Sequence, residues 1–295
     1  MNEPRLAMLA SRVRVEEKML LDAFARRHLD VELVDVRRLV IDTHRAVPAW
    51  DAILDRSLQL SHALAALRLL EDRGVVTVNA HEVVVNCSDK VVTTSLLSAA
   101  GVPVPRTIVA FSVAGALEAI EAVGYPAVIK PPVGSWGRLV ARVNDRDAAE
   151  ALLEHKATLG SVAHHVFYVQ EHIAKPGRDV RVFVAGGDVL CAIERLSEHW
   201  VTNTARGAST RNRPVSAEIA ELSLRAATAV GGGVLAVDLL EDGERLLVSE
   251  VNHTMEFRNS VDVTGVDIAG RIVDHLLAAA RLGARPASMA LAVNA

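Results

Sequence analysis

Two apolar runs near the C-terminal end constrain this chain most, because they deliver acidic and amide side chains to one place. Leu246-Leu247-Val248 is strand-like and leads into Ser249-Glu250-Val251-Asn252. Side chains two residues apart in a strand point the same way, so Glu250 and Asn252 share a face. An earlier run, Val234-Leu235-Ala236-Val237, ends at Asp238, and Glu241-Asp242-Gly243 lies between the two runs. Asp-Gly between apolar runs signals a hairpin, and folding it brings Asp238 beside Glu250 and Asn252. Such oxygen donors suit magnesium, which takes one or two carboxylates and completes its shell with phosphate and water. Taken alone, the stretch also fits a hairpin whose acidic ends face solvent, so the rest of the chain must decide.

At 295 residues the chain has room for two or three units of roughly 100–150 residues each. Half of it is apolar, enough for a sizeable core. A net charge of -4 with mixed signs, and 3% aromatic residues, argue against nucleic acid or an anionic membrane as partner. The two cysteines, Cys87 and Cys191, have no metal-type spacing and read as packing residues, so a reducing cytosol is the expected compartment. Residues 1–5 lack the apolar block of a signal peptide, and no apolar run approaches the roughly 20 residues of a membrane helix.

Read in order, residues 1–85 alternate strand and helix signals: strands near 6–10, 31–36, 52–54 and 75–78, helices over 16–27 and 61–73. That pattern predicts a small α/β unit with a mainly parallel sheet. No GxGxxG is present to support a dinucleotide fold. Residues 86–165 predict a second α/β unit. Asp89-Lys90 opens a helix, Ser112 caps another that Gly124 ends, and the strand 127–130 runs into Pro131-Pro132 and Gly134-Ser135-Trp136-Gly137-Arg138. Residues 166–285 predict a third unit, starting at Phe167 and containing a hairpin about Gly186-Gly187, a helix after Ser216 and a last helix over 267–282.

Lys130 ends an apolar strand directly before a loop with two glycines, and Lys90 starts a helix. A glycine loop can bring backbone N–H groups to phosphate while lysine supplies a point charge, although no lysine follows the glycines as in a P-loop. Gln170-Glu171 ends a strand between two units, where clefts commonly hold ligands. Asp179 and Arg181 share a strand face. Each of these, with Arg195 and Arg206, also fits an ordinary surface charge. His164-His165 lacks a third ligand for zinc.

Together these residues come in the order of the ATP-grasp fold. The chain resembles the RimK-type peptide ligases and, more narrowly, the LysX-type α-aminoadipate–LysW ligases. The resemblance is carried by residues 134–139, 175–183, His199-Trp200-Val201-Thr202-Asn203-Thr204-Ala205-Arg206-Gly207 and Glu250-Val251-Asn252-His253-Thr254-Met255-Glu256-Phe257-Arg258-Asn259-Ser260. It implies an α/β (α+β) fold with a small N-terminal pre-ATP-grasp unit and two ATP-grasp subunits holding ATP between them. Lys90 and Lys130 would contact ATP phosphates, and Gly134, Ser135, Trp136, Gly137, Arg138, Leu139 and Val140 would close over them. Gln170, Glu171, His172, Ile173 and Asp179 would line the adenine and ribose, ending with Arg181 at the phosphates, and Asn203 would also sit at the nucleotide. Asp238, Glu250 and Asn252 match ligands of two magnesium ions. Arg195, Thr204, Ala205, Glu256, Phe257, Arg258, Asn259 and Ser260 match amino-acid-binding positions, with Asn259-Ser260 in the place of the pair that favours aminoadipate. Lys130, Arg181 and Arg206 would carry catalysis.

The implied reaction phosphorylates the C-terminal glutamate side chain of the carrier protein LysW, and the α-amino group of α-aminoadipate then attacks the acyl phosphate. The implied assembly is a tetramer. Two alternatives stand beside this reading: a ligase that adds glutamate, and a non-catalytic ATP-binding regulator. The second requires a lost magnesium or phosphate residue, yet Lys90, Lys130, Arg181, Asp238, Glu250 and Asn252 are all present. The arginines near Arg12 and Arg14 and the tail past Arg285 depart from the pattern.

Overall fold

The computed structural model describes residues 3–45, 47, 49–134, 138–160, 165–202 and 207–283. The first unit contains β1 (Leu6–Ala10), α1 (Val15–Arg26), β2 (Val31–Asp35), β3 (Ala52–Asp55), α2 (Leu60–Glu71) and β4 (Val76–Val78). Its strands form a parallel sheet in the order β2-β1-β3-β4. The unbroken apolar run of β1 is buried along its whole length, as a strand covered on both faces must be. Leu6, Met8 and Leu54 pack on one side, while Ala7, Leu9 and Ile53 pack with α2 residues Ala66 and Leu70 on the other.

The middle segment runs α3 (His81–Ser88), α4 (Lys90–Ala99), β5 (Thr107–Ala110), α5 (Val113–Val123), β6 (Ala127–Lys130), β7 (Ala141–Val143), α6 (Arg146–Leu159) and β8 (Phe167–Glu171). Three of its helices, α4, α5 and α6, begin at short polar caps: Asp89 accepts from the Val91 N–H, Ser112 from Gly115 and Asp145 from Ala148. The sheet order is β5-β8-β6-β7. Strand β8, read from sequence as the start of the third unit, is antiparallel to both β5 and β6 and completes this sheet. A strand's own pattern does not name its neighbours, so its placement emerges only on folding.

The last segment holds β9 (Arg178–Ala185), β10 (Asp188–Leu196), β11 (Ser209–Arg213), α7 (Ala217–Ala229), β12 (Val234–Asp242), β13 (Arg245–Asn252), α8 (Arg258–Thr264) and α9 (Ile268–Gly283). The antiparallel order is β11-β10-β9-β12-β13. Both hairpins form where expected, turning at Gly186 and Gly243, each at φ 62°. Three elements had no clear sequence signal. Helix α3 contains three consecutive valines, strand β11 is wholly polar, and α8 is only two turns long. Packing or a partner strand overrides local preference in each.

The first and last segments share one core. Ile272, Val273 and Leu276 of α9 pack with Leu20 and Phe24 of α1 and with Phe183 and Ile193 of the five-stranded sheet. Each such large apolar side chain contributes about 1.5–3 kcal/mol by leaving water. Asn79, just past β4, pins the same junction. Its side-chain N–H groups donate to the Val234 and His253 carbonyls at 2.8 and 2.6 Å, and its oxygen accepts from the Val234 N–H at 2.6 Å. Gly233 sits so close that an added Cβ would lie 2.2 Å from the Asn79 oxygen. Asn79→Ala orphans buried backbone groups at the junction, so urea unfolding is expected to show a loss of about 2–4 kcal/mol.

Candidate active site

The site is built on the register of three neighbouring strands. Arg181 of β9 lies opposite Asp238 of β12, and Asp238 lies opposite Glu250 of β13. An irregularity follows at once: Leu239 pairs with Val248, leaving Ser249 as an extra residue. Such a bulge re-aims the strand at its end. Asn252 lies two residues on, with its Nδ2 3.4 Å from an Asp238 oxygen. The hairpin thus gathers Asp238, Glu250 and Asn252 as the alternation of the strand requires.

These residues line a cavity of about 930 Å³ between the four-stranded and five-stranded sheets. Its volume lies within the range of small-molecule and cofactor sites. The wall includes Lys90, Lys130, Gly134, Arg138, Val140, Gln170, Glu171, His172, Ile173, Asp179, Arg181, Arg195 and Glu256. Residues that sequence reasoning did not single out also reach it: Arg14 and Ser57 from the first unit, Arg142 from β7, and Lys175, Trp200, Thr202 and His253. They come from six separated stretches of the chain, and no one-dimensional spacing links them.

Every acidic group on the floor is held by a cation. Arg181 grips Asp238 through two bonds of 2.8 Å, and Arg195 reaches the same carboxylate at 3.2 Å. Burial pushes the Asp238 carboxyl up, but the two guanidiniums outweigh it and hold the group well below the usual carboxylate range. Arg195 also forms a fork on Asp179 at 2.6 and 2.9 Å, and Asp179 further accepts from the Thr202 hydroxyl. Asp179, expected at adenine or ribose, lies on the cavity wall as a residue 5% exposed, with both carboxylate oxygens bonded to Arg195. Lys90 donates to Glu250 at 2.8 Å and to the Gly134 carbonyl at 2.9 Å, tying α4 to the loop after β6 and to β13.

Lys130 donates to the Gln170 side-chain oxygen at 2.7 Å and lies 6.0 Å from the Tyr168 ring centroid. Burial, together with Lys90 and Lys175, outweighs the nearby Glu250 and Asp238 and pushes its ammonium down to about 8. Trp200 stands beside Arg142, with guanidinium to ring centroid 5.5 Å, and beside His172 at 6.1 Å. This places a cationic and aromatic rim on the cavity.

Two carboxylates and one amide oxygen are hard donors of the type magnesium accepts with phosphate oxygens, so the residues present fit that ion. Among the described residues, no cluster of three or more His, Cys, Asp or Glu side chains forms an all-protein cage.

Several expected positions fall elsewhere. Phe257 is fully buried in the core it shares with Met255, so its side chain anchors the segment and does not face the cavity. Ser260 is buried on α8, while Arg258, 55% exposed, and Asn259 lie on the outer side of that helix start. Leu139 is 70% exposed in the turn before β7. Ser135, Trp136, Gly137, Asn203, Thr204, Ala205 and Arg206 lie outside the described residues.

Comparison with known proteins agrees with this geometry. The family model for the RimK-like ATP-grasp domain matches residues 87–276, and that for the LysX preATP-grasp domain matches residues 6–86. The glutamate–LysW ligase ArgX of Sulfolobus acidocaldarius is 32% identical over 275 residues, covering 92% of this chain and 98% of that protein. The α-aminoadipate–LysW ligase LysX of Saccharolobus solfataricus is 36% identical over 221 residues, covering 74% of this chain and 80% of its own. The crystal structure of a RimK domain ATP-grasp protein from Sphaerobacter thermophilus superposes with a TM-score of 0.78 at 32% identity, covering 92% of this chain and 99% of that one. A D-alanine–D-alanine ligase from Bacillus anthracis complexed with ATP shares the fold at a TM-score of 0.67 and 17% identity, covering 96% of this chain and 99% of that one. On the matched domains and the extent of the shared sequence, the chain belongs to the RimK-like ATP-grasp family, with a LysX-type pre-ATP-grasp domain at its N-terminal end.

Proposed function

We propose that the protein joins the α-amino group of α-aminoadipate to the C-terminal glutamate side chain of the carrier protein LysW, at the expense of ATP. The class of reaction, an ATP-dependent carboxylate–amine ligation, is that of the ligase relatives and the ATP-grasp neighbours. One observation carries the reading: Asp238, Glu250 and Asn252 share one cavity with Lys90, Lys130, Arg181 and Arg195. Relatives named LysX, at 35–36% identity, support aminoadipate as the amino acid. Relatives named ArgX, which align over 92% of the chain, favour glutamate as a second reading.

A carboxylate is a poor acyl donor until an oxygen is phosphorylated. Transfer of the terminal phosphoryl group spreads negative charge over three oxygens, so the site must supply positive charge in place beforehand. Lys130 is positioned by Gln170, and Arg181 by its fork on Asp238. Magnesium, bound by Asp238, Glu250 and Asn252 and shared as two ions, would supply further neutralisation of the phosphates. Arg195, buried beneath the floor, presents a rigid guanidinium suited to a carboxylate of the amino acid. The reaction requires that water, which would hydrolyse the acyl phosphate, be kept from the site. By family likeness the assembly is a tetramer.

Incubating the enzyme with ATP, magnesium, carrier and either aminoadipate or glutamate, then measuring the carrier's intact mass, tests the proposal. Addition of aminoadipate alone is the expected result, while glutamate as the preferred adduct would select the second reading. Glu250→Ala should lower turnover by about 100-fold or more with unchanged unfolding, since it removes charge at the phosphates and no core packing. Lys130 gives a pH signature. Its ammonium is present below about pH 8 in the free enzyme and is lost as pH rises through that value. The Michaelis constant for ATP should therefore rise between pH 7 and 9. Lys130→Arg, whose guanidinium stays charged, should flatten the profile.

A further inference from the structure

Amide formation needs more than an activated acyl group. The incoming amine arrives as an ammonium and must lose a proton before it can attack. Lys90, Lys130, Lys175, Arg181 and Arg195 are among the cations that line the cavity. An ammonium will settle only beside negative charge, yet Asp179, Asp238 and Glu250 are each committed to one of these cations. Glu171 accepts the Arg106 backbone N–H at 2.7 Å, and Glu198 is exposed on the loop beside Trp200.

Glu256 is set apart by how its backbone and one oxygen are fixed, from the core and from the first unit. Its neighbours Met255 and Phe257 are both fully buried, so the backbone on either side is anchored in the core. The buried Arg56 holds the Met255 carbonyl at 3.0 Å. Arg14 holds one Glu256 oxygen at 3.1 Å and spends its other nitrogens on Glu17 at 3.0 Å. Glu17, itself fully buried, also accepts from Arg56 at 2.9 Å. Arg14 and Arg56 are thus balanced by Glu17 and Glu256. The second Glu256 oxygen has no protein partner among the described residues, and the residue lies on the cavity wall with Asn252 and Thr254. The result is a carboxylate fixed at one oxygen and presented at the other.

We infer that Glu256 is the proton acceptor for the attacking amine, oriented by Arg14 and, through Glu17 and the Met255 carbonyl, by Arg56. The inference rests on the ligase reading above. One ammonium proton passes to the Glu256 carboxylate, and the freed nitrogen lone pair bonds to the acyl carbon. The carbon–oxygen bond to phosphate then breaks, and the phosphate leaves with that electron pair and the second nitrogen proton. Glu256 returns its proton to water.

The test separates acyl activation from amine deprotonation. Hydroxylamine is uncharged at neutral pH and needs no base, so it traps the acyl phosphate on the carrier as a hydroxamate. Glu256→Gln keeps the volume and the bond to Arg14. It is expected to lower kcat for aminoadipate ligation by about 100-fold or more, the scale of general-base catalysis, while carrier hydroxamate forms at close to the wild-type rate. Equal loss with both nucleophiles would overturn the role, as would a change confined to the Michaelis constant for the amino acid. Absence of carrier hydroxamate with the wild-type enzyme would instead overturn the ligase reading, and the base with it.

Discussion

The cross-strand set Arg181–Asp238–Glu250 is the constraint on which the rest of the site depends. Placing carboxylates on a buried sheet costs desolvation free energy that opposite charge must offset. Arg181 and Arg195 do this for Asp238, and Lys90 does it for Glu250. On the proposed reading, Arg181 and Lys90 also face the ATP phosphates, so the stability of the floor and the chemistry performed on it draw on shared charges. Arg195 stays in place because Asp179 holds its other edge, and Asp179 is in turn held by Thr202 and Lys175.

The first unit is more than an appendage to this floor. Through α9 it shares a core with the five-stranded sheet, and through Asn79 it is stitched to β12 and to the segment after β13. Arg14, at the start of α1, and Arg56, just past β3, reach residues 255 and 256 across the junction. A mutation in the first unit can therefore move the cavity wall at Glu256 without touching Asp238 or Glu250 directly.

Much of this was legible residue by residue. Caps at Asp89, Ser112 and Ser216 start the helices they predict, and the glycine turns at 186 and 243 close the expected hairpins. The gathering of Asp238, Glu250 and Asn252 followed from period-two alternation alone. The place of β8 was not legible, because a strand's pattern records which face is apolar but not which strand lies beside it. Nor was the burial of Phe257, whose aromatic ring fits a substrate contact or a core anchor equally well in one dimension.

By itself, the sequence determined the elements, the acidic hairpin and the basic residues that answer it, because alternation, capping and turn chemistry act over a few neighbours. Only the tertiary structure decided that Asp179 serves Arg195, that Glu256 is clamped by an arginine 242 residues away, and that Arg56 steadies the segment beside it. The first of these lies across the β9–β10 hairpin, while the arginine contacts to residues 255 and 256 join opposite ends of the chain and exist only once the shared core has brought those segments together.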